Sequence, residues 1–118
     1  MRQPTLYRWS DIEPEQLNPL LQRQFIHGDQ AMLTRFVLSR GGIIPLHSHP
    51  NEQISYIVSG RIEFDFGDGD RRTLHAGDVL VIPGGVPHSA LVLEDTLAFD
   101  IFAPPRQDWI DKTDAYLR

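Results

Sequence analysis

The sequence predicts an all-β fold, a sandwich or a barrel made of short strands. Its 118 residues include nine glycines and nine prolines, and these fall at near-regular intervals between short apolar runs, as turn residues do between strands. No long stretch of helical pattern separates the runs, which is typical of an all-β domain. A chain of this length, 41% of it hydrophobic, suits one domain with one core, spanning residues 1–118.

An N-terminal arm is predicted over residues 1–20. Within it, residues 6–9 are expected to form a short strand. Ser10 or Asp11 is expected to cap a brief helical turn, because short polar side chains accept hydrogen bonds from the first turn. The prolines at positions 14 and 19 keep that turn short.

Residues 21–103 are predicted to form the barrel. The alternation is clearest where Ile62, Phe64 and Phe66 share one face and charged residues take the other. Gly, Pro or acidic turn residues bound each expected strand. The expected strands are 22–27, 31–39, 53–58, 61–66, 71–74, 79–82, 89–93 and 96–102.

The C-terminal segment, residues 104–118, begins with two prolines that end the last strand. Residues 108–117 are expected to form a short helix, capped by Asp108 or one of its neighbours.

Composition excludes several classes of protein. The chain has no cysteine, so neither disulfides nor thiolate metal sites are possible. Its net charge is −5, without a basic cluster, which argues against nucleic-acid binding. No apolar run approaches the length of a membrane span, and the first residues lack the apolar run of a secretory signal. We therefore expect a cytoplasmic protein without a membrane partner.

A histidine pair is the first sign of chemistry. His47 and His49 lie two apart in G-G-I-I-P-L-H-S-H-P-N-E-Q, and alternate residues of an extended strand face the same side. Both imidazoles can therefore face one ion, although an isolated pair of this kind is also found on surfaces and in caps. His88 follows in G-D-V-L-V-I-P-G-G-V-P-H, a second segment with regular Gly and Pro spacing.

Together the two segments resemble the paired motifs of the cupin superfamily, over roughly residues 31–103. The matching positions are Gly41, His47, His49, Gln53 and Gly60 in the first motif, and Gly77, Pro83, Gly85 and His88 in the second. The resemblance implies a single-domain cupin, a jelly-roll barrel that holds one divalent metal through His47, His49, Gln53 and His88. Imidazole and oxygen ligands suit Zn, Ni, Fe, Mn or Cu, and the sequence does not choose among them.

Gln53 stands where the cupin motif usually has Glu. The adjacent Glu52 is an alternative ligand, but His47, His49 and position 53 share a face of a regular strand, and Glu52 points away. Three neutral imidazoles and an amide leave the metal charge uncompensated. The site is therefore expected to be a strong Lewis acid that attracts a small anionic substrate.

Asp100 lies inside an apolar strand, where a carboxylate is costly unless it is paired, lies near a metal or sits at a bulge. The stretches H-S-H-P-N-E-Q and D-I-F-A-P-P-R resemble the KdgF-type cupins of pectin and alginate breakdown. That family also has Gln in the first motif, and it opens 4,5-unsaturated uronates to linear keto acids. The resemblance implies that Asp100 shuttles a proton, Phe102 walls the pocket and Arg106 holds a carboxylate.

Two other functions remain open: a metal-dependent dioxygenase, since three histidines with open positions also suit iron and oxygen, and a non-catalytic metal- or ligand-binding module. Small barrels of this kind resemble cupins that pair as homodimers, often by exchanging N-terminal strands. The apolar residues 6–9 would suit such an exchange. Trp9 and Trp109 are expected at an interface, and the alternatives for Trp109 are to close over the barrel or simply to pack. Tyr56 is expected to pack on the sheet, and the remaining histidines, His27 and His75, to be solvated.

Overall fold

The structure, a computed structural model, describes residues 3–118 and is all-β, as predicted. Its strands are antiparallel throughout. They are β1 (Glu15–Asn18), β2 (Leu21–His27), β3 (Met32–Leu38), β4 (Ile43–His47), β5 (Glu52–Asp65), β6 (Arg71–His75), β7 (Val79–Ile82) and β8 (His88–Ala103). One short helix, α1 (Gln107–Ile110), and two 3-10 turns, Trp9–Asp11 and Ala115–Leu117, complete the described part of the chain.

Two long strands, β5 and β8, organise the barrel. Residues 52–59 of β5 pair with residues 97–103 of β8, and residues 61–65 pair with residues 89–94. The first of these blocks extends through β7 on one side and through β3, β2 and β1 on the other. The second block extends through β6 and β4. Both blocks contribute side chains to one hydrophobic core, which therefore lies between them.

The sequence predicted each long strand as two separate strands, and this was wrong. Residues 53–58 and 61–66 belong to β5, and residues 89–93 and 96–102 belong to β8. Gly60 has a φ of 95°, and the ladder shifts register around it. A Cβ at this position would overlap the Asp95 carbonyl oxygen and Thr96. Glycine here permits an irregular, closely packed crossing of two strands rather than a turn.

The N-terminal arm also differs from its prediction. Residues 6–9 do not form a strand, and the 3-10 turn begins at Trp9 without a side-chain cap from Ser10 or Asp11. An unexpected strand, β1, pairs with β2. Prolines flank β1 instead of interrupting it, because a proline is tolerated just outside a strand.

The C-terminal segment closes one end of the barrel. The predicted helix over 108–117 is much shorter, and Arg106 rather than Asp108 is its N-cap residue. Trp109 and Leu117 are buried in the hydrophobic core. Asp114, which is fully buried, pairs with the equally buried Arg23 of β2 at 2.7 Å between Oδ2 and Nη1. The segment is therefore held to the barrel by side chains.

No helix within residues 3–118 has the length and apolar character that a membrane crossing requires.

Candidate metal centre

Three histidines meet at the end of the barrel that the C-terminal segment covers. His47 ends β4 and His88 begins β8, and the two are direct partners in the β4–β8 ladder. His49 lies in the loop of residues 48–51, where its carbonyl oxygen accepts a hydrogen bond from the Gly85 amide at 2.8 Å. The three imidazoles offer ring nitrogens that all lie within 4.8 Å of one another.

Backbone carbonyls orient all three imidazole rings. Nδ1 of His47 lies 2.8 Å from the Pro45 oxygen, Nδ1 of His49 lies 3.1 Å from the Asn51 oxygen, and Nδ1 of His88 lies 2.8 Å from the Val86 oxygen. A carbonyl only accepts, so these contacts place the proton on Nδ1 and leave a lone pair on each Nε2. This is the tautomer that a metal-binding histidine needs.

The amide of Gln53 is oriented from behind. Its nitrogen donates to Ser55 Oγ at 3.0 Å and to Asp100 Oδ2 at 3.3 Å. The carbonyl oxygen consequently faces His49, and it lies 3.1 Å from Nε2 of that ring. Two lone pairs facing each other at this distance repel, unless a cation lies between them.

Glu52 is exposed, whereas Gln53 is 4% exposed. Strand parity between His47 and Gln53 requires one regular strand through positions 47–53, but β4 ends at His47 and β5 begins at Glu52. Gln53 points inward because of its place in β5, where it is the direct partner of Phe102.

The donor set fits a divalent metal ion. It comprises three imidazole nitrogens and one amide oxygen, and Nε2 of His88 is buried without a hydrogen-bond partner in the described part of the chain. Such ligands suit Zn, Ni, Fe, Mn or Cu. His47, His49, His88 and Gln53 are the residues that would hold the ion.

The electrostatics keep the histidines neutral. Burial lowers the pKa of His47 and of His49 to about 4, and burial also lowers the pKa of His88. The positive charge of Arg106 acts in the same direction on all three rings. Neutral imidazoles do not have to release a proton before they bind a metal.

Asp100 lies beneath Gln53 in the middle of β8. Its register partners are Thr34 on β3 and Ser55 on β5, and the β3–β8 ladder is regular through this position. The alternative of an Asp at a bulge is therefore wrong. Burial raises the pKa of Asp100 to about 6, and the hydrogen bond with Ser55 and the charge of Arg106 oppose that rise. The carboxyl group can accordingly exchange a proton near neutral pH.

Phe102 and Arg106 complete the inner wall. Phe102 is 1% exposed and packs edge-on against His49 at 5.6 Å between ring centroids. The Arg106 guanidinium lies 5.1 Å from the Phe102 ring centroid and 4.4 Å from that of Trp109. Although burial disfavours its charge, hydrogen bonds to Asp108 and Tyr116 raise the pKa of Arg106.

Arg106 already has partners inside the protein. Its Nε and Nη2 donate to the two carboxylate oxygens of Asp108 at 2.9 and 2.6 Å. Nη2 also donates to the Tyr116 hydroxyl at 2.6 Å. The sequence suggested a substrate carboxylate as the partner of this guanidinium, and the structure shows that its Nε–Nη2 edge binds Asp108.

Three residues of the site were not found from the sequence: Ser55, Asp108 and Tyr116. Ser55 shares the inward face of β5 with Gln53, so strand alternation contained the signal. Tyr116 stacks on His47 with 4.7 Å between ring centroids. No local pattern marks it, because only the fold brings the chain end to the barrel mouth.

Most of the residues that the sequence set aside lie outside the site. His27 and His75 are exposed, and Tyr56 lies on the outer face of β5 with 44% exposure. Of the alternatives for Trp109, packing is confirmed and an interface is wrong, since it is 3% exposed and packs in the core between aromatic rings. Trp9 is half-buried against Phe99.

Comparisons with known proteins agree with this geometry. A family model described as "Cupin domain" matches residues 34–101. The curated "Auxin-binding protein ABP19b" of Prunus persica is 33% identical over 98 residues, covering 75% of this chain and 47% of that protein. The chain thus spans about half the length of this relative.

Two solved structures are similar over most of the chain. The structure of KdgF from Halomonas sp. has a TM-score of 0.80 and 30% identity, covering 89% of this chain and 99% of that one. An RmlC-like cupin from Shewanella frigidimarina has a TM-score of 0.81 and 27% identity, covering 91% of this chain and 96% of that one.

Proposed function

This chain belongs to the cupin domain family, and we propose that it is a metal-dependent enzyme that opens a 4,5-unsaturated uronate, or a related small acidic sugar, to a linear keto acid. The observation that carries the proposal is a buried carboxyl, Asp100, which lines the same cavity as His47 and His88 and is joined to the metal ligands through Gln53. The similarity to KdgF supports the choice of substrate class.

The residues that would hold the metal are His47, His49, His88 and Gln53. When bound, the ion supplies Lewis acidity toward an oxygen of the substrate. Because all four ligands are uncharged, the ion keeps its full positive charge, and Arg106 adds another. A carboxylate-bearing substrate is attracted to such a site.

The reaction moves protons without changing the formula of the sugar. Opening the ring breaks the bond between the anomeric carbon and the ring oxygen, and the anomeric hydroxyl loses its proton. The resulting enol becomes a ketone when the neighbouring carbon gains a proton. Asp100 is suited to carry that proton, because its pKa of about 6 lets both forms exist near neutral pH.

The surrounding residues keep this carboxyl in position. Ser55 and the Gln53 amide both donate toward Asp100, which limits its rotation. Phe102 forms an apolar wall beside His49. Arg106 is proposed to bind the substrate carboxylate through the edge of its guanidinium that Asp108 does not use.

An ultraviolet assay tests this function. Metal-loaded protein is mixed with unsaturated galacturonate or guluronate monomers, and the absorbance of the conjugated enol ether is followed. We expect its loss to exceed the spontaneous rate, and we expect a chelator to abolish the excess. Asp100→Asn should retain the metal and lose about 100-fold or more in rate, as removal of a general acid does.

Three results would contradict the proposal in different ways. Turnover by Asp100→Asn at the original rate removes the proton shuttle but leaves the substrate. No loss of absorbance above the spontaneous rate rejects the uronate. Oxygen consumption by iron-loaded protein with diketones or thiols would identify a dioxygenase in its place.

We also propose a homodimer in which the N-terminal arms are exchanged. Leu6 is 76% and Tyr7 is 52% exposed, and apolar side chains at the end of an arm are readily covered by a second copy of the chain.

A further inference from the structure

Tyr116 occupies a position that a substrate of this site would need. Its ring stacks on that of His47, and its hydroxyl accepts a hydrogen bond from Arg106 Nη2 at 2.6 Å. Nε1 of Trp109 donates to the same oxygen at 3.4 Å. The Tyr116 side chain thus covers His47 and accepts a hydrogen bond from Arg106, the cationic group that faces the cavity.

The hydrogen-bonding capacity of Arg106 makes this position informative. A guanidinium offers two edges that can bind a carboxylate through parallel hydrogen bonds. Asp108 uses the Nε–Nη2 edge, so the Nη1–Nη2 edge is the one left for a ligand. Nη2 has two hydrogens, and Tyr116 takes the second. A substrate carboxylate and the Tyr116 hydroxyl therefore compete for the same donor.

The size of the cavity also indicates that Tyr116 and a substrate cannot both occupy the site. The cavity whose lining includes His47, Asp100, Arg106 and Tyr116 has a volume of about 40 Å³. That volume holds a water molecule or two, whereas sites for small organic ligands measure roughly 300 Å³ or more. A sugar acid cannot enter unless part of the wall moves.

Residues 113–118 are a part of the wall that strand pairing does not hold. We call it the C-terminal cap. It contains a single 3-10 turn and pairs with no strand of the described chain. Side chains hold it in place: Asp114 pairs with Arg23, and Arg118 pairs with Glu15 at 3.1 Å. Asn18 Nδ2 also donates to the Leu117 oxygen at 3.4 Å.

We propose that the C-terminal cap is a gate, in which Tyr116 stands in for the substrate carboxylate at Arg106 and leaves when the substrate binds. The class of ligand, a small sugar carboxylate, rests on the proposed function. The inference that the cap moves rests only on the contacts of the cap and on the cavity volume.

The absence of cysteine from the chain permits a direct test. Leu117→Cys places one thiol beneath the cap, where the native side chain is 4% exposed, and Leu74→Cys places one in the core on β6, where it is 5% exposed. A neutral dipyridyl disulfide reports the rate at which each thiol becomes accessible. If the cap opens without unfolding of the core, the thiol of Leu117→Cys reacts at least about tenfold faster than that of Leu74→Cys. The thiol on β6 becomes accessible only when a larger part of the protein unfolds.

Ligands then show what opens the cap. Zinc-loaded Leu117→Cys is compared in galacturonate and in galactose, which has a similar size and no carboxylate. We expect galacturonate to raise the reaction rate several-fold and galactose to leave it unchanged. Equal rates for both cysteine variants, or a rate that galacturonate lowers, would overturn the gate.

Tyr116→Phe tests the competition itself. It keeps the ring on His47 and removes the hydroxyl from Arg106, so we expect galacturonate to bind about fivefold more tightly by calorimetry, the equivalent of one hydrogen bond. Tyr7→Phe, on the exposed arm, is the control and should not change affinity. Weaker binding by Tyr116→Phe would mean that the hydroxyl contacts the ligand, and would overturn the competition.

Amide hydrogen exchange of the unmodified protein guards against a cysteine variant that fails to fold. The amides of Leu117 and Arg118, which bond to Asp114 and Ala115, should exchange much faster than those of β5 and faster still with galacturonate. Exchange as slow as that of β5 would overturn the gate. Failure of the proposed function appears separately, as a cap that opens for galacturonate in a protein without turnover.

Discussion

The side chain of Gln53 connects His49 of the candidate metal site to Asp100. Its amide nitrogen is committed to Ser55 and Asp100, so only its oxygen is available to an ion. A glutamate at this position would have no hydrogen to donate to Asp100 and would add a second negative charge beside it. The neutral amide thus lets a carboxyl group lie next to the candidate metal site without direct repulsion.

We predict that Gln53→Glu separates metal binding from activity. The added charge should strengthen zinc binding by about tenfold, while the repulsion disturbs Asp100 and lowers turnover by about 10- to 100-fold. Competition with a coloured chelator measures the affinity, and the ultraviolet assay measures turnover. The neighbouring Glu52→Gln is the control, because Glu52 is exposed.

Loss of zinc affinity in Glu52→Gln would mean that the wrong residue had been identified as the ligand. Unchanged affinity in Gln53→Glu together with full turnover would show that position 53 is not part of the site.

At the scale of single residues, the sequence predicted the three clustered histidines better than the residues around them. The H-x-H pair and the Gly and Pro spacing before His88 are local patterns, and they identified three histidines that the fold brings together. Asp108 and Tyr116 bind Arg106 through contacts that depend on how the chain end folds back. No periodicity or spacing in the sequence encodes such a contact.

The loop of residues 48–51 is the element that positions His49. The turn before β8 supports it from below, since the Gly85 amide donates to the His49 oxygen at 2.8 Å. A Cβ at Gly84 would overlap the carbonyl oxygen of Pro50. These two connections are far apart in sequence and pack against each other with no space for a side chain between them.

We therefore predict that Gly84→Ala displaces the loop and weakens zinc binding by about tenfold or more, since small shifts of a ligand are costly at a metal site. Gly28→Ala is a matched control, because nothing lies within 4 Å of a Cβ there. Zinc titration and thermal unfolding of both variants make the comparison. Equal affinities would show that the loop adapts and that Gly84 has no part in positioning His49.

Among the elements, the position of most strands was predictable and their continuity was not. The first and last residues of β7 match the prediction, and those of β2 and β3 lie within one residue of it. Residue types such as those of Ser59-Gly60 and Glu94-Asp95 are found in turns between strands and equally at bends within one long strand. Which of the two occurs is decided by strand pairing across the barrel, which short-range patterns do not contain.

For the whole molecule, the all-β class followed from turn spacing and alternation, but the contacts that join the two ends of the chain did not. Arg23 and Asp114 are both fully buried and pair at 2.7 Å. From sequence alone each is an ordinary charged residue, which would be assigned to the surface. Only the closed barrel explains why neither is exposed.

We predict that the protein is a dimer in solution, because exposed apolar residues on an arm favour exchange with a second copy. Light scattering should give twice the mass of one chain, and Leu6→Glu should shift it toward a monomer. Ile43→Glu is the control, since Ile43 is also exposed, at 62%, but lies on β4. A monomer mass for the unmodified protein would contradict the dimer.

Because β5 and β8 run through both halves of the barrel, the site can form only late in the synthesis of the chain. His47 has no ladder partner until His88 has been made, and Asp100 is made later still. Pairing between distant segments is slow, because a long loop must close first. A chain that has not yet reached His88 therefore offers a metal only His47, His49 and Gln53, and tight loading awaits the finished barrel.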